Sequence, residues 1–136
     1  FKEEGVDLTR VKIDHCNDTT DTEYLQWILD QGCFIGLDRY PGHGVSPHMR
    51  TVTLKKLMDM GYSDQLCPSH DCICIHIHKE LPDGTIPEEH QFQKANPDQF
   101  LYMHRHVIPE LKEMGASDAD IENLFVNNPR RFLFGE

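Results

Sequence analysis

Short apolar runs alternate with longer amphipathic ones along this chain, and the alternation repeats three times. The first run, Val11-Lys12-Ile13-Asp14-His15, has apolar positions at 11 and 13 and reads as a brief strand. A polar stretch, CNDTTDT over 16–22, follows, in which Thr20, Asp21 or Thr22 can cap a helix. That helix is expected over 23–30, with Tyr24, Leu25, Ile28 and Leu29 on one stripe and Gly32 as its stop. Cys33 to Leu37 is continuously apolar, as expected of a strand buried on both faces. The loop over 38–47 carries Pro41, Gly42, Gly44 and Pro47, a composition suited to a lid over a site. A helix from about His48 to Met60 turns Val52, Leu54, Leu57 and Met58 inward and ends at Gly61. Leu66 to Ser69 forms the third strand, although Pro68 gives up a ladder donor there.

After an irregular stretch over 78–96, Asn96-Pro97 opens a helix running to Met114, with Pro109 expected to kink or break it. Ser117 caps a last short helix that Asn127-Asn128-Pro129 should stop. Strand and helix alternate, so the fold class is α/β, with three consecutive βα units on a parallel sheet. Gly5 reads as a helix C-cap, which carries the expectation of an element upstream of the sequence.

Composition narrows the function. Acidic residues outnumber basic ones, 23 to 13, and the net charge of −10 leaves no basic stripe for nucleic acid or an anionic membrane surface. No apolar run approaches the roughly 20 residues of a membrane span. Five cysteines without framework spacing suggest reduced thiols and a cytoplasmic setting. Met49, Met58, Met60 and Met114 read as core filler.

Chemistry gathers where the runs end. His15 follows the first strand, Asp38, Arg39 and Tyr40 the second, and His70 and Asp71 the third, with Asp18 and Asp21 just beyond the first. In parallel α/β architectures, ligands and catalysis sit at that edge. Each residue also has a plainer reading: Asp18 and Asp21 as helix caps, Asp38 and Arg39 as a surface pair, His15 as a core histidine. Cys72, Cys74, His76 and His78 alternate along one face, inviting a small zinc module. A strand of that length spans roughly 20 Å, however, so only neighbouring pairs could share an ion.

Taken together, GVDLTRVKIDHCNDTTDTEYL, GCFIGLDRY, MGYSDQLCPSHDC and the run from Asn96 to Phe132 resemble the C-terminal portion of the phosphotriesterase family, metal-dependent hydrolases of the amidohydrolase superfamily. The resemblance implies an incomplete TIM barrel, with these βα units as strands six to eight and residues 1–136 as the C-terminal part of one domain. It implies that His15 and Asp71 are metal ligands in a two-metal centre of zinc type around a bridging hydroxide. It implies Asp71, Asp18 and Arg39 as catalytic residues, Asp18 carrying a proton away from Asp71, and Arg39 and Tyr40 as substrate-binding residues. The Asp38-Arg39-Tyr40 trio is similar to the lactonase-like branch, so lactones or related carboxyl and phosphate esters are the implied substrates. The family's remaining metal ligands come from barrel strands that these 136 residues do not contain. This chain alone is therefore expected to be inactive, to need the N-terminal half of the barrel as a partner, and to form a homodimer. The alternatives are a non-catalytic interaction domain derived from the same barrel and the zinc module around Cys72–His78.

Overall fold

The three apolar runs lie side by side. In the computed structural model, which describes residues 1–42, 44–72, 82–85 and 96–135, β1 (Lys12–Ile13), β2 (Phe34–Leu37) and β3 (Leu66–Pro68) form one parallel sheet in the order β1-β2-β3. Lys12 pairs with Phe34 and Ile13 with Ile35, while Ile35, Gly36 and Leu37 pair with Leu66, Cys67 and Pro68. All four β2 residues are buried, as a central strand covered on both faces requires. Pro68 is tolerated because Ser69 donates its N–H to the Leu37 carbonyl. Strand N–H groups alternate in direction, so the donor Pro68 lacks would point away from β2.

Between β1 and β2 runs helix α1 (Thr22–Leu29), and between β2 and β3 runs α2 (Pro47–Leu57). Of the three candidate caps, Asp21 is the one used, its carboxylate accepting the N–H groups of Glu23 and Tyr24. Leu25, Ile28 and Leu29 are buried on the sheet side, but Tyr24 is half exposed and stacks on Trp27. A four-residue stripe on one helix is wider than the contact with the sheet, and the amphipathic tyrosine takes the wet edge. Leu54 and Leu57 seal α2 against Ile35, Leu37 and Leu66 in one core, at about 1.5–3 kcal/mol for each fully buried side chain. Met58 joins that core, whereas Met49 and Met60, expected inside, are exposed.

Proline reshapes the C-terminal helices without stopping them. A π-helical turn, Met103–Val107, runs without a break into α3 (Ile108–Glu113), and Pro109 sits just after that turn, whose wider bonding pattern takes up the missing N–H. The segment before that turn, Gln99–Leu101, is a 3₁₀ turn, which leaves Phe100 and Leu101 exposed. Ser117 caps α4 (Asp118–Glu122) in a capping box with Asp120. The expected stop at Asn127-Asn128-Pro129 does not occur. A second π-helical turn, Asn123–Asn127, widens the helix, and α5 (Asn128–Phe134) continues with Pro129 in its first turn. Asn128 is fully buried and ties α5 to the sheet, its amide donating to the carbonyls of Ser63 and Leu66.

Gly5 does close a turn: its N–H bonds to the Lys2 carbonyl and that of Val6 to Phe1, with Gly5 at φ 74°. No helix among the described residues is long and apolar enough to cross a membrane.

Candidate functional site

Each strand is followed by a non-glycine residue in left-handed backbone conformation: His15 at φ 62°, Arg39 at φ 60° and Asp71 at φ 50°. Such a residue costs roughly 1–2 kcal/mol, and strain of this kind collects at functional sites. The effect here is geometric. Each turn bends the chain sharply as it leaves the sheet and brings side chains from all three strands to one edge.

His15, Asp38 and Asp71 meet there, with one donor atom from each lying within 4.8 Å of the others. Asp38 is nearly buried and grips His15 twice. One oxygen lies 2.9 Å from His15 Nδ1, and the other accepts the His15 backbone N–H at 3.3 Å. A carboxylate can only accept, so Nδ1 donates and Nε2 is the ring nitrogen left to face a ligand. Asp71 is held loosely, 3.9 Å from His15 Nδ1 and 3.8 Å from Arg39 Nε. An imidazole fixed by a carboxylate behind it, beside a half-exposed carboxylate, is a donor set that fits a divalent metal.

A second group adjoins the first. Asp18 is not a helix cap; its two oxygens are divided between two guanidinium groups, Arg39 Nη1 at 2.6 Å and Arg50 Nη2 at 2.8 Å. Partial burial pulls the Asp18 carboxyl upward, but the bonds from Arg50 and Arg39 outweigh it and hold it below the usual carboxylate value. Asp21, by contrast, only caps α1.

Other residues named from the sequence fall elsewhere. Tyr40 is buried, its ring stacked on Tyr102, and burial pushes its hydroxyl up to about 12. His70 turns to the edge of Phe100 and accepts the Cys72 N–H on Nδ1, and burial lowers its proton affinity. Of the neighbours His70 and Asp71, only Asp71 reaches the cluster. The zinc module built on Cys72, Cys74, His76 and His78 lies outside the described residues apart from Cys72. Cys16 and Cys67 are buried thiols pushed by desolvation to about 11, poor nucleophiles at neutral pH.

Arg50 is the residue that the sequence reading passed over. The signal was present: Arg50 lies four residues before Leu54 and seven before Leu57, on the stripe that α2 buries.

Comparison with known proteins agrees with this architecture. The phosphotriesterase family model matches residues 1–133. The chain is 36% identical over 136 residues to a phosphotriesterase homology protein of Mycobacterium tuberculosis, covering 98% of this chain and 39% of that one. It is 35% identical over 132 residues to an aryldialkylphosphatase of Saccharolobus solfataricus, covering 96% of this chain and 40% of the relative. A solved phosphotriesterase structure from Mycobacterium tuberculosis superposes with a TM-score of 0.81 at 36% identity, over 96% of this chain and 39% of that chain. This chain therefore belongs to the phosphotriesterase family. It spans about two fifths of the length of these relatives, and its three βα units correspond to part of a TIM barrel.

Proposed function

We propose that residues 1–136 are the C-terminal part of a single barrel domain, and that the complete barrel is a metal-dependent hydrolase of lactones or related esters. The observation that carries this reading is the meeting of His15, Asp38 and Asp71 at the C-terminal edge of three parallel strands. In this reading His15, through Nε2, and Asp71 hold a divalent metal, while Asp38 stays behind His15 and fixes its tautomer. The chemistry such a centre supplies when bound is polarisation of an ester oxygen and acidification of a water.

The protein's own residues then have distinct tasks. Asp71, half exposed and loosely held, takes up the proton released when water attacks. Arg39 lies beside Asp71 with its guanidinium partly open to solvent, placed to orient an ester oxygen. Asp18 is a poor proton acceptor while both arginines hold it, so it relays a proton from Asp71 only after Arg39 turns toward substrate. Tyr40, buried against Tyr102, takes part through packing and not as a substrate-binding side chain in this reading.

The test is hydrolysis by the whole gene product containing these residues. Lactones, aryl esters and aryl phosphotriesters would be assayed after chelation and again after adding back zinc, manganese or cobalt. Turnover that disappears with chelator and returns with metal supports the reading; turnover indifferent to both removes it. The 136 residues alone contribute only part of the family's metal-ligand set, and are expected to show no metal-dependent hydrolysis in the same assay.

A further inference from the structure

Arg50 is fully buried, at a position on α2 where packing alone would favour a leucine. A buried guanidinium is costly unless its donors are met, and these donors are met from three directions. Nη2 pairs with Asp18, Nη1 donates to the backbone carbonyl of Asp38 at 3.1 Å, and Nε donates to the carbonyl of Val45 at 3.1 Å. The backbone at Asp38 and at Val45 thus wraps around this one side chain. Gly42, at φ 86°, completes the wrap, because a Cβ there would overlap the guanidinium. Asp38 is the residue whose carboxylate grips His15, and Arg39 follows it immediately.

We propose that Arg50 is the positioning residue of this site. It holds Asp18 on one side and the backbone at Asp38 and Val45 on the other, and so fixes Arg39 against Asp71 without touching substrate itself. A continuous series of charges results, Arg50 to Asp18 to Arg39 to Asp71. Arg39 is about half exposed and would turn into solvent if Asp18 were not itself anchored. Arg50 alone in that series is rigid, because it alone is enclosed. The proposal rests on the hydrolase reading for its catalytic consequence, though not for the positioning itself.

Arg50→Lys and Arg50→Gln in the whole gene product test it. Lysine keeps the charge beside Asp18, but its single ammonium cannot reproduce the planar fork that serves three acceptors. The first readout is the ¹³C carboxyl titration of Asp18, assigned by its loss in Asp18→Asn. The second is the division between kcat and KM for the best ester substrate. In Arg50→Gln the Asp18 midpoint should rise toward that of an ordinary aspartate, and in Arg50→Lys it should fall back. In both, kcat should drop at least about tenfold while KM changes less, as misplacement of a catalytic group predicts.

An Asp18 midpoint unmoved in Arg50→Gln overturns the proposal, leaving Arg50 as a staple of the loop. If Arg50→Gln does not fold, Arg50→Lys decides, and wild-type kcat in that variant overturns the proposal. A wild-type protein without metal-dependent hydrolysis defeats the hydrolase reading instead, and the Asp18 titration still decides whether Arg50 positions it.

Discussion

Asp38 Oδ1 lies 2.9 Å from His15 Nδ1 while Asp38 Oδ2 accepts the His15 backbone N–H, so one buried carboxylate fixes both the ring and the main chain of the residue just past the neighbouring strand. Asp38→Asn keeps the shape and offers an amide in place of the charge. The variant should fold, and its affinity for zinc should fall about 10- to 100-fold, the usual effect of removing the partner behind a ligating histidine. Titration calorimetry of metal into the whole gene product measures this, and unchanged affinity would take Asp38 out of the role given to it.

Asp18 makes stability depend on acid. Its folded carboxyl lies below the ordinary value, so the stabilisation it contributes is complete above the unfolded value of about 3.9. That stabilisation is lost as pH falls through the lower folded value. Urea midpoints for wild type and Asp18→Asn should therefore differ at about pH 7 and converge as pH drops below about 4. A difference that grows on acidification would contradict the pairing with the two arginines.

Gly36 shows how tightly the strands close on the inner face. A Cβ at this position would overlap the Asp14 carboxylate, which pairs with Lys12 at 2.7 Å. Asp14 is exposed and can swing aside by giving up that pair, so Gly36→Ala should destabilise the fold by no more than about 1 kcal/mol. A urea melt reads the change.

Asn128 holds the last helix to the sheet. Its amide donates to Ser63 and Leu66 carbonyls at 2.6 and 2.7 Å, and its oxygen accepts from Arg131 at 2.7 Å. Asn128→Ala leaves the Leu66 carbonyl without that buried donor and should cost about 1–3 kcal/mol in the same melt. A variant as stable as wild type would mean that water replaces the amide at no cost.

Much of this architecture was legible in the chain as written. Val11–His15, Cys33–Leu37 and Leu66–Ser69 each contain a strand, and Leu25, Ile28 and Leu29 mark the buried side of α1. The C-terminal end was less so, because Asn127-Asn128-Pro129 carries stop signals that a π-helical turn absorbs. Local preference for a break was outweighed by the burial of Leu124 and Asn128 in the turns leading up to the proline.

By itself the sequence determined the βα alternation, the cap at Ser117, and the strand edge at which His15, Asp38, Arg39 and Asp71 emerge. Apolar period and cap chemistry are local properties, readable within a few residues. Tertiary structure alone decided which of those groups meet. It turned Asp38 onto His15 across 23 residues, set Arg50 beneath Asp18 across 32, sent His70 toward Phe100 and buried Tyr40 against Tyr102. These pairings follow from the register of neighbouring strands and the path of the loops between them. A pattern of polar and apolar positions records which face a residue is on, and not which partner it finds there.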